Sequence, residues 1–465
     1  MNEFLTIMKS EWVITTIIFL LLLIKLGKGM KNASLLLLIQ ILLLLNFIAG
    51  FFFNKEGSLF DGMYHTSSLI IFQKNILSLG VYLISLLFAD WLKKSEHLPE
   101  FFILLLSALL GMFFMISSGN LLMFFLSLEL ATIPVAAMAN FDLGKRISSE
   151  AAMKMILSSA FSSGILLFGI SLVYGATGTI SFANLPAQLT GSPLQILAFV
   201  FLFAAFAFKL SIVPFHLWTA DVYEGAPMAT TAFLSVISKG SITFIFMSAL
   251  YKVFGSMNEV WYNMVMILSI ATMIIGNLFA LRQQNIKRFL AFSSIAQVGF
   301  ILVGISSSSI EGVSSVVYFV LIYVFSNLAA FAVAASISSQ TGKERVDDYK
   351  GLYKTNPFLS WVLALALFSL AGIPPTAGFF GKLFLLTAGA SKANYMFITV
   401  AALNMIVSLY YYLRVIRAVF MDKNEQPIEK INTDPATKLG LFICGVGIVL
   451  TGLLSWVYDY IQSLN

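Results

Sequence analysis

Four ionisable residues interrupt apolar stretches of this sequence that are long enough to cross a membrane. They are Glu129, Lys209, Lys239 and Lys382. Glu129 lies about ten residues from the nearer end of its apolar run, which at 1.5 Å per residue places it about 15 Å deep, near the middle of a bilayer. A charged side chain at that depth costs about 2.5–3.5 kcal/mol, so such residues are typical of ion or proton pathways.

The chemistry that these side chains suit is proton transfer. Glu129 is the simplest ion-pair partner for Lys209, whereas the sequence offers no buried acid for Lys239 or Lys382. Because burial disfavours a charged amine, an unpaired lysine in a low-dielectric site can lose and regain a proton. The structural alternatives are a static ion pair that fixes helix packing and lysines that extend toward the membrane surface. We interpret the four residues as a proton path.

Two interruptions that contain proline lie close to two of these lysines. Proline has no backbone N–H, so it frees a carbonyl of the preceding helical turn. Freed backbone groups in a membrane are tolerated only where protein or water satisfies them, so both breaks predict hydrated pockets. A simple packing kink is the alternative at either break. The residues are Pro214 in FKLSIVPFHLW, and Gly372, Pro374, Pro375 and Gly378 in AGIPPTAGFFGK.

Further polar residues near these breaks are candidates for a secondary proton path. His216 follows Pro214 and is either a relay toward the inner surface or a satisfied buried histidine. Lys154 has Glu150 one turn before it, which suits a surface ion pair or a proton entry site. Hydroxyl groups must bridge the gaps between lysines, and the candidates are Ser211, Ser238 and Ser241. The aromatic run Tyr410, Tyr411 and Tyr412 is interpreted instead as interfacial anchoring.

The elements that must hold these residues are membrane-spanning helices. Of the 465 residues, 59% are hydrophobic and only 11% are charged, whereas about 25% of a soluble domain is charged. Backbone groups in lipid must be satisfied within the segment, and the apolar runs are too long and uniform for barrel strands. The sequence therefore predicts an all-α polytopic membrane protein with about fourteen transmembrane helices in a single membrane domain, residues 1–465.

The two proline breaks lie 160 or 161 residues apart, which indicates an internal duplication. A shift of 160 residues places predicted helices 4–8 onto helices 9–13, with broken helices 7 and 12 at matching positions. Because each repeat has five helices, the two must be inserted with opposite orientation, as in many transporters. The predicted regions are an N-terminal three-helix region (1–97), a first inverted repeat (98–254), a second inverted repeat (260–420) and a C-terminal helix (437–460).

Basic residues alternate between the connections of the predicted helices. Sixteen lie in the odd-to-even connections, against four, Lys9, Lys55, Lys252 and Lys392, at the other ends. The positive-inside rule then predicts that both termini lie on the non-cytoplasmic side. Basic residues follow the first apolar run, so we expect an uncleaved span and no signal peptide. The sixteen are Lys25, Lys28, Lys31, Lys93, Lys94, Lys145, Arg146, Arg282, Lys287, Arg288, Lys343, Arg345, Lys350, Lys354, Lys423 and Lys430.

The composition also limits cofactors and partners. Cys444 is the only cysteine, which excludes an internal disulfide, a cysteine-based zinc site and a cysteine-ligated iron–sulfur cluster. No glycine-rich phosphate loop opens a helix, and no histidine cluster has metal or haem spacing. The net charge of +6 comes from loop residues and does not indicate nucleic acid. We expect no cofactor, metal or redox centre in this chain.

Several stretches resemble one known family. FKLSIVPFHLWTADVYEGAP, FLSVISKG, NIKRFLAFSSIAQVGF, LAGIPPTAGFFGKLFLL and LYYYLRV closely resemble the antiporter-like membrane subunits of bacterial respiratory complex I, the proton-pumping NADH:quinone oxidoreductase. The resemblance extends in register over about residues 60–420. The DVYEGAP loop and the Ser238–Lys239 pair resemble the N-type subunit rather than its longer sister subunits or the large subunits of multi-subunit cation/proton antiporters.

The resemblance implies a membrane-arm subunit that translocates protons while other subunits pass electrons from NADH through FMN and iron–sulfur clusters to quinone. It implies as partners the other membrane subunits of complex I, including neighbouring antiporter-like subunits, with the bilayer and protons, in a bacterial cytoplasmic (inner) membrane. The alternatives are a subunit of a multi-subunit cation/proton antiporter and a purely structural assembly subunit. Because the chain ends soon after its last predicted span, no lateral C-terminal helix is expected. The positions that match the family's pumping residues are Glu129, Lys209, Lys239 and Lys382.

Overall fold

The N-terminal region consists of five helices and one short hairpin. The structure, a computed structural model, describes residues 2–27, 29–52 and 54–465, with the backbone alone for Asn2. Lys28, one of the basic residues counted above, lies outside the described residues. The elements are α1 (Asn2–Ile7), α2 (Lys9–Leu26), α3 (Asn32–Ala49), β1 (Gly57–Leu59), β2 (Tyr64–Thr66), α4 (Ser68–Leu87) and α5 (Ala89–Lys94).

A buried ion pair joins the hairpin to the helices of this region. Lys74 of α4 donates to Oε1 of Glu11 in α2 at 2.5 Å and to the hydroxyl of Tyr64 in β2 at 2.9 Å. Both charged side chains are only 3% exposed. Neither this ion pair nor the antiparallel β1–β2 hairpin is predicted from the sequence. The hairpin shows no sequence signal because strands of three residues carry too few side chains to form an alternating pattern.

The middle of the chain contains the first predicted repeat. Its last span is one continuous helix. A π-helical turn at Phe233–Ser238 joins α12 to α13, and a second π-helical turn at Ala249–Val253 follows α13. The elements are α6 (Leu98–Ile116), α7 (Leu121–Ala139), α8 (Arg146–Thr177), α9 (Leu185–Gln188), α10 (Pro193–Leu210), α11 (Leu217–Gly225), α12 (Met228–Ala232) and α13 (Lys239–Ser248).

The remainder contains the second predicted repeat and the C-terminal helices. α15 and α16 are the centre of the bundle, since their membrane-spanning windows are completely buried. The elements are α14 (Asn258–Arg282), α15 (Ile286–Ser306), α16 (Ile310–Thr341), α17 (Leu352–Thr355), α18 (Pro357–Ala371), α19 (Ala377–Ala390), α20 (Tyr395–Phe420), α21 (Pro435–Leu453) and α22 (Trp456–Ser463).

The structure confirms the predicted class of an all-α, multi-pass membrane protein. Twelve helices in the described part of the chain are long and apolar enough to span a membrane. α2, with charges only near its ends, and the broken pair α18–α19 bring the number of spans to fourteen. α18 and α19 have 15 and 14 residues, so neither alone covers the roughly 30 Å of a hydrocarbon core.

The two helix breaks share one backbone geometry. α10 is followed by Ser211 at φ +64°, and α18 is followed by Gly372 at φ +86°, both left-handed conformations. The residue after each, Ile212 or Ile373, donates its N–H to the carbonyl five residues earlier, at 2.8 and 3.0 Å. A cis proline follows in both breaks, after Val213 and after Pro374. The breaks predicted in the seventh and twelfth membrane spans are confirmed, and they follow α10 and α18. Their shared backbone geometry supports the duplication.

Close packing of the first two helices is also repeated. A Cβ added to Gly111 of α6 would lie 2.4 Å from the backbone N of Ala131 in α7. A Cβ added to Gly276 of α14 would lie 2.6 Å from the backbone N of Ala296 in α15. Each glycine precedes its alanine by 20 residues, so the helix pairs have the same register.

We expect Gly276→Ala to destabilise the protein by about 1–3 kcal/mol, because the new methyl group meets backbone that cannot move aside. The measurement is the temperature at which the purified protein loses its monodisperse profile in size-exclusion chromatography. Gly164→Ala is the matched control, since Gly164 lies in α8 with open space around it. Equal heat stability of the two variants would contradict the packing argument.

One end of the bundle carries most of the loop lysines and arginines, and we call it the basic end. It comprises the connections around Lys93, Lys145, Lys287, Arg345 and Lys430. Lys93 forms an ion pair with Asp434, and Lys287 pairs with Glu344 at 2.7 Å. Burial alone would raise the pKa of Glu344, but the hydrogen bond and charge of Lys287 hold it below its usual value. These pairs link distant connections at this end.

Candidate proton-transfer site

Glu129 lies in the middle of α7 and is half-buried. α7 begins where the side chain of Asn120 accepts a hydrogen bond from the N–H of Met123 at 2.7 Å, a typical N-cap. The carboxylate accepts a hydrogen bond from the hydroxyl of Ser163 in the neighbouring α8. Glu129 is therefore held at mid-membrane depth by one hydroxyl group.

Lys209 lies in the last turn of α10, next to the first break. Its ammonium donates to the hydroxyl of Thr132 in α7 at 2.8 Å and to that of Ser159 in α8 at 2.6 Å. Two helices therefore supply its hydrogen bonds through neutral side chains.

The direct pairing of Glu129 with Lys209 that the sequence predicted is wrong for this structure. No ion pair of 4.0 Å or less joins them in the described part of the chain. The reason is the register of the two helices that surround them. Thr132 follows Glu129 by three residues on α7, and Ser159 precedes Ser163 by four on α8. The amine and the carboxylate are thus offset by about one helical turn, or 5 Å, and interact through space.

Hydrogen bonds from neighbouring residues surround the break after Lys209. Ser211 is buried, and its hydroxyl accepts a hydrogen bond from Thr219 at 2.6 Å. The indole N–H of Trp218 donates to the carbonyl of Phe208 at 3.1 Å. His216 is 7% exposed, and its Nδ1 atom has no hydrogen-bond partner among the described residues.

Lys239 is the first residue of α13, directly after the π-helical turn. Such turns often occur at functional positions, because they change which side chains face inward. The buried ammonium donates to the hydroxyl of Ser294 in α15 at 3.0 Å and lies 5.5 Å from the ring centre of Tyr223. It forms no ion pair with any carboxylate among the described residues.

Lys382 lies in α19, just after the second break, and is 1% exposed. Its ammonium donates to the carbonyls of Leu370 and Ala371 at 2.7 and 3.2 Å. In an uninterrupted helix these carbonyls would accept from residues 374 and 375, which here are prolines without an N–H. The lysine therefore satisfies the two acceptors that Pro374 and Pro375 leave free. No carboxylate within the described ranges pairs with it either.

A small cavity with a few polar lining residues lies next to Leu370, the hydrogen-bond acceptor of Lys382. Its volume of about 10 Å³ is close to the minimum that holds one water molecule. It touches Leu370, which accepts from Lys382, and Gln297, one turn after Ser294 on α15. Its other polar lining residues are Tyr323, Ser326 and Ser369.

Hydrogen bonds extend from this cavity in two directions. The amide of Gln297 donates to the carbonyl of Leu370 at 3.0 Å and to the hydroxyl of Tyr412 at 3.1 Å. On the other side, the hydroxyl of Tyr323 lies 3.5 Å from that of Ser235 in the π-helical turn before Lys239. A nearly continuous row of polar groups thus lies between Lys239 of the first predicted repeat and Lys382 of the second.

The remaining predicted residues are Lys154, which lies at the basic end, and Ser238 and Ser241, which lie next to Lys239 along the chain. Lys154 forms the expected ion pair with Glu150 at 2.8 Å and a second one with Asp221 of α11 at 2.7 Å. Arg288 of α15 also binds Asp221, at 2.9 Å, so charges at the basic end join three helices. The hydroxyl of Ser241 donates to the backbone carbonyl of Ser238, and neither side chain contacts a lysine.

Sequence reasoning missed the hydroxyl and amide partners of the lysines. Serine and threonine are common in membrane helices, and a single helix does not reveal which of them face a neighbour. The repeat did carry a usable signal, because Ser294 occupies the position that Glu129 has in the first repeat, 165 residues earlier. The anchoring role expected for the tyrosines is wrong for two of them, since Tyr411 and Tyr412 are completely buried and only Tyr410 is exposed. The missed residues are Thr132, Ser159, Ser163, Ser294, Gln297 and Tyr323.

Comparison with known proteins agrees with the fold. The family model described as NADH:quinone oxidoreductase/Mrp antiporter, TM, matches residues 118–408, more than half of the chain. A protein named NADH-quinone oxidoreductase subunit N from Phocaeicola vulgatus is 49% identical over 413 residues, which cover 88% of each chain. One of the same name from Azobacteroides pseudotrichonymphae is 46% identical over 419 residues, 89% of this chain and 87% of the relative.

Solved structures show the same architecture. A chain of respiratory complex I from Thermus thermophilus with bound aureothin has a TM-score of 0.83 and 28% identity, over 96% of this chain and 98% of that one. A chain of the Mrp complex from Dietzia sp. DQ12-45-1b has a TM-score of 0.87 at 19% identity, over 98% of this chain and 96% of that one, which is a likeness of fold alone. The matched family model and the two relatives show that this chain belongs to the NADH-quinone oxidoreductase subunit N family of antiporter-like membrane proteins.

Proposed function

We propose that this chain is the N-type membrane subunit of an NADH:quinone oxidoreductase and that it translocates protons through Glu129, Lys209, Lys239 and Lys382. The observation that carries the proposal is the environment of the three lysines. Each amine is enclosed within the membrane-spanning bundle, and its hydrogen bonds go to hydroxyl or carbonyl oxygens instead of a carboxylate. Neutral acceptors hold an amine in place without fixing its charge.

The first step concerns Lys209 and Glu129. With the two charges about one turn apart, their attraction at an effective dielectric of about 20 is a few kcal/mol and falls as they separate. A change in the neighbouring subunit that weakens this attraction favours release of a proton from the Lys209 ammonium. Lys209 becomes a neutral amine, and Lys239 accepts the proton through hydroxyl groups and water.

The second step carries the proton from Lys239 to Lys382. The one-water cavity beside Gln297, Tyr323 and Ser326 supplies a place for a bridging molecule. A water there is within reach of the carbonyl of Leu370, the acceptor of Lys382. Lys382 then connects the centre of the bundle to one surface, and His216 and Lys154 provide a secondary route at the first break and the basic end.

The rest of the assignment follows from the same family membership. The other membrane subunits of the complex, including neighbouring antiporter-like subunits, are the proposed partners. Electron transfer through NADH, FMN, iron–sulfur clusters and quinone is assigned to other subunits, and this chain is proposed to hold no redox centre. The basic end is proposed to face the cytoplasm of a bacterial inner membrane, which places both termini outside it.

A second candidate function is a subunit of a multi-subunit cation/proton antiporter, because the matching family model covers both classes. Purification of the tagged chain from its native membrane in mild detergent distinguishes the two. We expect flavin and iron–sulfur subunits to copurify and the preparation to reduce quinone with NADH. Recovery of membrane subunits alone, with no flavin and with cation-dependent proton exchange in vesicles, would instead identify an antiporter. A tagged, unrelated membrane protein from the same cells controls for non-specific copurification.

A further inference from the structure

A lateral groove at the basic end lies between α18 and α21. Its volume is about 580 Å³, far larger than the one-water cavity. It is formed by the first turn of α18, the extended segment 430–433 and the first two turns of α21. It lies apart from the proton-transfer residues, none of which line it.

The polar part of this α18–α21 groove is cationic and lacks a bound counter-charge within the chain. Lys430 and Lys438 line it and are exposed, and their ammonium groups form neither an ion pair nor a hydrogen bond in the described part of the chain. Asp434, the nearest acid on α21, is already engaged, since it caps that helix and pairs with Lys93. Thr433 also lines the groove, and its hydroxyl has no hydrogen-bond partner among the residues that the structure describes, although Thr433 is only 9% exposed.

The helix ends add to this positive character. Lys438 is the fourth residue of α21 and therefore lies near its N-terminus, where the helix dipole makes a cation unfavourable. The N-terminus of α18 at Pro357 lines the same groove. An anion in the groove would stabilise both helix ends and both lysines, which explains why a lysine occupies so unfavourable a position.

The remaining wall of the groove is apolar and exposed. Phe358, Leu439 and Phe442 are 41%, 49% and 60% exposed. Phe442 lies one turn beyond Lys438 along α21, on the side of the bilayer interior. A soluble anion such as phosphate would leave these side chains uncovered, whereas a lipid would cover them with its acyl chains.

We propose that the α18–α21 groove binds one anionic phospholipid, with its phosphate between Lys430, Lys438 and the hydroxyl of Thr433. The acyl chains lie against Phe358, Leu439 and Phe442. Basic pockets at the positive side of membrane helices are suited to such headgroups, and the charge complementarity favours phosphatidylglycerol over phosphatidylcholine. The site is separate from proton transfer, so it stands independently of the proposed pumping mechanism.

The test uses the complex that contains the full chain, reconstituted into vesicles with a trace of photoactivatable phosphatidylglycerol or of phosphatidylcholine with identical acyl chains. After illumination, mass spectrometry quantifies the label on the peptide that contains Leu439 and Phe442. We expect phosphatidylglycerol to label it at least fivefold more than phosphatidylcholine. Each lysine contributes about fivefold in affinity at a membrane surface, so Lys430→Gln with Lys438→Gln should remove the preference.

Lys423→Gln is the matched control, because Lys423 is an exposed lysine in the same connection and does not line the groove. It should leave the labelling ratio unchanged. Equal labelling by both lipids in the unaltered complex would overturn the proposal. So would cross-linking of a Lys438→Cys variant to another subunit with no lipid label on this peptide, because a protein would then fill the groove.

Discussion

A Lys209→Ala complex is expected to translocate protons about tenfold more slowly, or worse, than the unaltered complex, while remaining assembled. Lys209 forms no ion pair with the described residues, and its removal takes one donor from each of the hydroxyls of Thr132 and Ser159. The Thr132 hydroxyl still donates to the carbonyl of Leu128. The structural cost is therefore small and the functional loss large. The measurement is quenching of a pH-sensitive dye in inverted vesicles energised with NADH, with assembly checked by native electrophoresis.

The surroundings of Lys209 supply graded variants for the same measurement. Glu129→Gln removes the charge and keeps an acceptor for Ser163, so its loss should approach that of Lys209→Ala. Thr132→Val and Ser159→Ala each remove one hydrogen bond to a charged group, which is worth about 1.5–3 kcal/mol, and should have intermediate effects. Lys145→Ala, which removes a lysine with a 67% exposed side chain at the basic end, is the control. Normal pumping in Lys209→Ala and Glu129→Gln would leave only a structural role for the pair.

Lys382 gives the second large prediction, because two substitutions separate its structural contribution from its proton-carrying one. Lys382→Leu leaves the buried carbonyl of Ala371 without a donor, at a cost of about 1–3 kcal/mol, and leaves the carbonyl of Leu370 with the amide of Gln297 as its donor. We expect this variant to reduce the amount of assembled complex severely. Lys382→Gln keeps N–H donors near those carbonyls but cannot ionise, so we expect it to assemble and to fail in proton translocation.

The two readouts are the yield of intact complex and the rate of proton uptake per NADH oxidised. The mechanism is contradicted if Lys382→Gln pumps normally. If Lys382→Leu assembles as well as the unaltered chain, the hydrogen bonds to the break contribute little to stability. Thr387→Ala provides a control in the same helix, because its hydroxyl binds only carbonyls of its own turn and its side chain is exposed.

Hydropathy and charge were sufficient to predict the spans, since each apolar run has a length that only a membrane imposes. The breaks were also readable, because proline changes the backbone wherever it occurs. The hydrogen-bond partners of Glu129 and Lys209 could not be predicted from the sequence, since they depend on how α7, α8 and α10 are aligned along their axes. A shift of one turn exchanges a carboxylate for Thr132 as the nearest acceptor, and no property of a single helix encodes that shift.

The buried ion pair of Glu11 and Lys74 could not be predicted from single helices either. Each residue is near the end of its own helix, where charge is ordinary, and only the packing of the hairpin over both removes them from water. The polar row from Ser235 to Lys382 likewise requires four membrane spans to meet, one of which is the broken pair α18–α19. Sequence thus predicted which residues carry charge in the membrane but not which neutral groups connect them.

The hydrogen bonds from Lys382 to the carbonyls at the end of α18 link the protonation state of this lysine to the stability of the helix end. While the amine is an ammonium ion, it acts as a charged C-cap, and its interaction with the end of the helix dipole is worth about 0.3–2 kcal/mol. When the proton leaves, that attraction disappears and the joint between α18 and α19 becomes softer. If protons pass through Lys382 as proposed, each one would alter the stiffness of the joint between α18 and α19 for as long as Lys382 is neutral.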